Sequence, residues 1–161
     1  MKLTKQDIDR VRDMEGFPIG TDEDIIKLSN PPFYTACPNP FIEEFIIKYG
    51  KPYDVLSDNY SKEPFAADVS EGKSDPIYNA HTYHTKVPHK AIMRYILHYT
   101  EPGDIILDGF CGTGMAAVAA QLCGKPENDI KVKIESEVGS VKWGIRKAII
   151  NDLSPIASFI S

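Results

Sequence analysis

The sequence predicts an α/β protein organised on a parallel sheet, and three stretches carry that expectation. Ile105 to Leu107 is a short apolar run, opened by Pro102-Gly103 and followed by a turn crowded with Gly112 and Gly114. Ala116 to Cys123 is a string of good helix formers closed by Gly124. Ile145 to Ile150 reads as a second strand, after which Asn151-Asp152-Leu153-Ser154-Pro155 turns into a new helix. Strand, glycine turn, helix and strand in that order make a parallel α/β unit.

The first junction carries chemistry. Glycines let the backbone turn sharply and let a ligand come close, and the helix start offers unpaired N–H donors. Asp108 at the strand tip favours a ligand bearing donor or positive groups over a phosphate. A phosphate loop would want a lysine beside the threonine, and here Met115 follows Gly114.

Composition sets the bounds. The chain has 161 residues, 42% hydrophobic and 25% charged, which suffices for a buried core of ordinary make-up. No run approaches the length of a membrane span, and the N-terminus lacks the apolar core of a secretory signal. Three cysteines without regular spacing point to reduced thiols and a cytoplasmic protein. A net charge of −5 is not the footprint of a chain that grips a phosphate backbone unaided.

In chain order, Leu3, Ile8 and Val11 suggest a short amphipathic helix ending near Gly16, and Asp22 to Leu28 a turn of helix or a brief strand. Phe41 to Tyr49 carries apolar residues at 41, 42, 45, 46 and 49, one helical face, stopped by Gly50 and Pro52. From Tyr53 to Tyr83 the chain reads as loop with one short helix over 62–69. Tyr53, Tyr60, Phe65 and Tyr78 read as cover for the core, since no basic residues interleave them. His81, His84, His89 and His98 lack the paired ligands of a zinc site. After Pro88, the period of Ile92, Tyr95, Ile96 and Tyr99 predicts a helix. Lys131 to Lys142, with Val132, Ile134, Val138 and Val141, predicts an inserted β-hairpin around Gly139.

Asp108-Gly109-Phe110-Cys111-Gly112-Thr113-Gly114 resembles the Asp-x-Phe-x-Gly-x-Gly loop of S-adenosylmethionine-dependent methyltransferases that modify exocyclic amino groups of adenine or cytosine in DNA. Tyr83-His84-Thr85-Lys86-Val87-Pro88, a helix, and then Pro102-Gly103-Asp104 resemble the segment that precedes that loop in the family. Thr85 falls on the family's threonine. The family's lysine is Val87 here, with Lys86 one position early. The resemblance implies a partial Rossmann-like methyltransferase fold, the first strands of a parallel sheet, over 80–161. A mainly helical and loop N-terminal extension would occupy 1–79. It implies S-adenosylmethionine as cofactor and DNA as partner. Asp108 would take the ammonium group, Thr85 the methionine tail and Phe110 the adenosine side. Gly112 and Gly114 would give close approach, and Asp152 would hold the ribose.

Asn30-Pro31-Pro32-Phe33 matches the family's catalytic Asp/Asn/Ser-Pro-Pro-aromatic loop literally. There the amide and a proline carbonyl accept from the target amine, and the ring stacks on the flipped base. Its place in the chain favours a proline-rich cap before a helix, because too little chain separates it from the cofactor loop for the intervening β–α units. The chain stops at Ser161 in the helix after the second strand, so the expectation is the N-terminal portion of a longer, site-specific DNA methyltransferase, inactive alone. Its rivals are a non-catalytic cofactor-binding or assembly module and another nucleotide-binding α/β protein. Exposed sheet edges would favour homo-oligomers.

Overall fold

The computed structural model describes residues 1–68 and 70–161. They form two compact units, Met1–Gly50 and Lys51–Ser161. The two units meet at 50/51, whereas the parts expected from sequence, 1–79 and 80–161, meet 29 residues later.

The first unit is helical. Thr4 caps α1 (Lys5–Asp9) in a reciprocal capping box with Asp7, and Thr21 caps α2 (Asp22–Leu28). The alternative of a brief strand at 22–28 is thus resolved as helix. Leu3, Ile8, Val11, Ile25, Cys37 and Phe41 form its core. Arg12 and Lys5 both bond the Asp22 carboxylate, at 2.8 and 2.9 Å. α3 (Ile42–Tyr49) follows.

The second unit has the α/β order expected. After α4 (Pro76–Asn79) come α5 (His89–Tyr99), β1 (Ile105–Asp108), α6 (Met115–Leu122), α7 (Asn128–Val138), β2 (Lys147–Ile150) and α8 (Pro155–Ile160). β1 and β2 pair in parallel, Ile105 opposite Lys147 and Asp108 opposite Ile150. Parallel strands need a crossover, which α6 and α7 supply. Met93, Ile96 and Leu97 of α5 pack with Ala119, Ala120 and Cys123 at the end of α6 and with Ile130 and Ile134 of α7, and Ile106 and Ala148 of the sheet close the cluster. Burial pushes the Cys123 thiol up to about 11.

Two expectations are corrected here. Residues 128–138 are helix α7, where a hairpin was expected around Gly139. Ile130, Ile134 and Val138 recur at four-residue spacing and all face the core, while Val132, read as part of a two-residue alternation, is exposed. Gly139, with φ of 88°, ends the helix rather than turning a hairpin. The short helix expected over 62–69 is absent from 62–68, and residue 69 lies outside the described residues. Tyrosine hydroxyls of α5 satisfy that segment's backbone: Phe65 N–H donates to Tyr99 Oη at 2.8 Å and Ala67 N–H to Tyr95 Oη at 3.1 Å. Phe65 also stacks on His98. These contacts bring residues 51–79 into the second unit.

Two buried arginines tie the layers. Arg146 donates to Thr100 Oγ1 (3.0 Å), Thr100 O (2.7 Å) and Gly144 O (2.7 Å), satisfying the end of α5 from the start of β2. Arg94 of α5 pairs with Glu71 and, at 2.6 Å, with Glu137 of α7.

Replacing Arg146 by Met leaves those half-buried acceptors without their donor and lowers unfolding free energy by about 1–3 kcal/mol, read from urea denaturation. The hydrogen bond from Arg94 holds the Glu137 carboxyl below its ordinary value. Its contribution to stability is therefore full above the unfolded carboxylate range and is lost as pH falls through the folded value. Glu137→Gln flattens the acid limb of stability against pH; an acid limb unchanged by this substitution would contradict the assignment.

Candidate functional site

The site is built where the two strands end. Pairing continues past the last ladder residues: Asn151 N–H donates to Asp108 O at 3.0 Å and Cys111 N–H to Asn151 O at 2.9 Å. Between them the chain bends through Gly112 (φ 53°) and Gly114 (φ 78°), the latter capping α6. The bend is pinned from β2's side, because Gly112 N–H donates to Asp152 Oδ2 at 2.8 Å. Asp152 Oδ1 accepts from Ser154 N–H at 2.8 Å, so this acid organises both the loop and the start of α8. Asp108 Oδ1 accepts from Phe110 N–H at 3.1 Å, and its Oδ2 has no donor among the described residues. Phe110 is 82% exposed beside it.

The glycines serve the protein's own packing. A Cβ at Gly112 would stand 2.8 Å from the Tyr83 ring, and one at Gly114 would stand 2.9 Å from Ser161. Tyr83, which the sequence reading passed over, is therefore the group that lies against the bend. Its only sequence signal was its place at the head of the segment before α5. Thr85 is exposed in that segment. Lys86 is spent internally: its ammonium group donates to the carbonyls of Tyr78 and His81 and lies 4.7 Å from the centre of the Tyr78 ring.

Thr113, also passed over, is 4% exposed and its Oγ1 has no partner among the described residues. The N–H groups of Thr113, Met115, Ala116 and Ala117 likewise have no acceptor there. The bend thus offers a row of donors, with a carboxylate oxygen of Asp108 available at the strand tip. That donor set suits a zwitterionic ligand end, an ammonium beside a carboxylate. Burial pushes the neighbouring Cys111 thiol up, away from a reactive thiolate.

Residues 30–33 belong to the first unit. Asn30 and Tyr34 exchange backbone hydrogen bonds of 2.8 and 3.1 Å, closing a turn around Pro31 and Pro32. Asn39 Nδ2 donates to Pro32 O at 3.0 Å, Asn30 is exposed, and Phe33 is 88% exposed. No cluster of metal-ligating residues occurs among the described residues, and no described helix is long and apolar enough to cross a membrane.

A family model described as DNA methylase, of the N6/N4 methyltransferase type, matches residues 43–137, more than half of the chain. The match takes in Thr85, Asp108, Phe110, Gly112 and Gly114. No curated protein and no solved structure matches the chain.

Gly112→Ala is strained by its φ and by the Tyr83 ring, and costs about 2–3 kcal/mol of stability. In a Tyr83→Ala background the same change costs less by about 0.5–1 kcal/mol, because the clash is gone and the φ strain remains. Equal costs in the two backgrounds would show that Tyr83 does not press on the bend.

Proposed function

The chain belongs to the N6/N4 DNA methylase family, and from that premise we propose that its 51–161 unit binds S-adenosylmethionine at the ends of β1 and β2. In this reading it is the donor-binding part of a site-specific enzyme that methylates the exocyclic amine of adenine or cytosine in DNA. One observation carries the proposal: the bond from Gly112 N–H to Asp152 draws the acid after the second strand onto the bend after the first. Two acids and a run of free donors then converge where open α/β sheets take their ligands.

The roles follow from chemistry. Asp108 accepts from the ammonium group through Oδ2. Phe110, exposed at the strand tip, offers a ring face to the adenosine, and Thr85 fixes the methionine tail. A carboxylate has about four acceptor positions, so Asp152 keeps acceptor capacity for ribose hydroxyls beyond its bonds to Gly112 and Ser154. When bound, the cofactor supplies a methyl group already activated on sulfonium. The chain's contribution is orientation and a site poor in water.

We assign Asn30, Pro31, Pro32 and Phe33 to the turn before α3 rather than to the transfer step. Asn30 and Tyr34 close a turn around the two prolines, and Asn39 donates to the carbonyl of Pro32, so the segment is tied into the first unit's own packing. The 161-residue chain in this reading binds the donor without transferring its methyl, and the net charge of −5 supports a DNA grip supplied from outside it.

Calorimetry with S-adenosylhomocysteine, paired with a methyl-transfer assay on unmodified DNA, tests both halves. The wild-type chain binds, and Asp108→Ala weakens binding by about tenfold or more, the loss of a charge-assisted hydrogen bond. Absence of binding by the wild type overturns the donor site. Methyl transfer that Asn30→Ala abolishes would return residues 30–33 to catalysis.

A further inference from the structure

We propose that Lys86 is a positioning residue of the donor site: it closes the 78–86 loop on itself and so holds the Tyr83 ring on the glycine bend, without touching the donor. The inference rests on the donor-site reading above and adds a residue that acts on that site from outside it.

Lys86 stands one position before the place where the resemblance expects a lysine, and the structure shows where its charge goes instead. The ammonium group donates to the carbonyls of Tyr78, in α4, and of His81, and lies 4.7 Å from the centre of the Tyr78 ring. Two further bonds close the same loop. Tyr78 Oη donates to Lys86 O at 3.2 Å, and Lys86 N–H donates to Tyr83 O at 3.3 Å. Tyr78 and Lys86 therefore hold each other twice, once through each side chain. A second lysine ties the base of the loop to α5, where Lys90 meets the Asp75 carboxylate at 2.8 Å. A half-buried ammonium facing two carbonyls and a ring has spent its three donors inside the chain and offers none to a ligand.

Tyr83 lies within this brace, and its ring approaches Gly112 so closely that a Cβ there would stand 2.8 Å from it. Gly112 N–H in turn donates to Asp152 Oδ2 at 2.8 Å. Loop, ring, bend and acid are thus contiguous, and slackening the loop removes the wall against which the bend is set. A bend set before the ligand arrives has less ordering left to do on binding.

Amide hydrogen exchange of the ligand-free chain, paired with calorimetry using S-adenosylhomocysteine, tests this on wild type and Lys86→Met. The Gly112 amide is expected to exchange about tenfold faster in Lys86→Met, while the Arg146 amide, bonded to Ala120 O, keeps its wild-type rate. S-adenosylhomocysteine is expected to bind about threefold to tenfold more weakly. If Lys86→Met does not fold, Tyr78→Phe, which removes only the hydroxyl bond to Lys86 O, carries the same comparison in the same direction. An unchanged Gly112 rate overturns the inference, and weakened binding beside it would make Lys86 a direct ligand contact. Equal acceleration at Gly112 and Arg146 reduces Lys86 to a general stabiliser and overturns it as well. A faster Gly112 with unchanged affinity overturns the positioning role and leaves the donor site standing. A wild-type chain that does not bind S-adenosylhomocysteine overturns the inference together with the donor site.

Discussion

The second unit depends on parallel pairing that outlasts its strands. Four ladder residues on each side are a short sheet. What converts them into a site is the continuation, in which Asn151, Cys111, Gly112 and Asp152 exchange bonds beyond the last regular pair. The bend is thereby held from two directions, through its own cap on α6 and through the acid that follows β2. A loop fixed only by its glycines would sample many conformations, since glycine removes steric limits as well as permitting the unusual φ. The carboxylate supplies the restraint that the glycines lack.

The layers behind the sheet are held by charge as well as by apolar packing. Arg146 lies almost fully buried, its side chain bonded to Thr100 at the end of α5 and to Gly144 just before β2. It serves the half-buried Thr100 at the end of α5 and the Gly144 carbonyl together, which a guanidinium, with its fork of donors, can do at once. Arg94 does a related task between α5 and α7, meeting Glu71 and Glu137. Both are interior arginines held by several partners each, and both fix how α5 sits over the sheet.

Much of this was legible in the sequence where local rules and tertiary demand agree. β1, the glycine bend, α5, α6 and β2 lie where their patterns put them, because buried apolar runs, caps and breakers all point the same way at 88–124 and 145–155. The failures have specific causes. At 128–138 a short alternation of Val132 and Ile134 competed with the four-residue spacing of Ile130, Ile134 and Val138, and the longer period prevailed once α5 offered a face to pack on. At 62–68, nothing local announces that tyrosines thirty residues away will satisfy the backbone. In the site, the motif drew attention to its acids and glycines and away from Thr113 between them. Tyr83 was invisible for another reason: its importance lies in the space that Gly112 leaves, and no property of residue 83 itself encodes that.

The alanines of α6 have a mechanical meaning. Ala119 and Ala120 are wholly buried, and Ala120 O accepts from Arg146 N–H at 3.1 Å, so the helix lies with its backbone against β2. An interior this dense transmits displacement instead of absorbing it. A larger side chain at either position would push the whole helix along its axis or away from the strands, and the bend at its other end would travel with it. The tolerance of the glycine bend to change is thus set about one and a half helical turns away, at the buried alanines of α6.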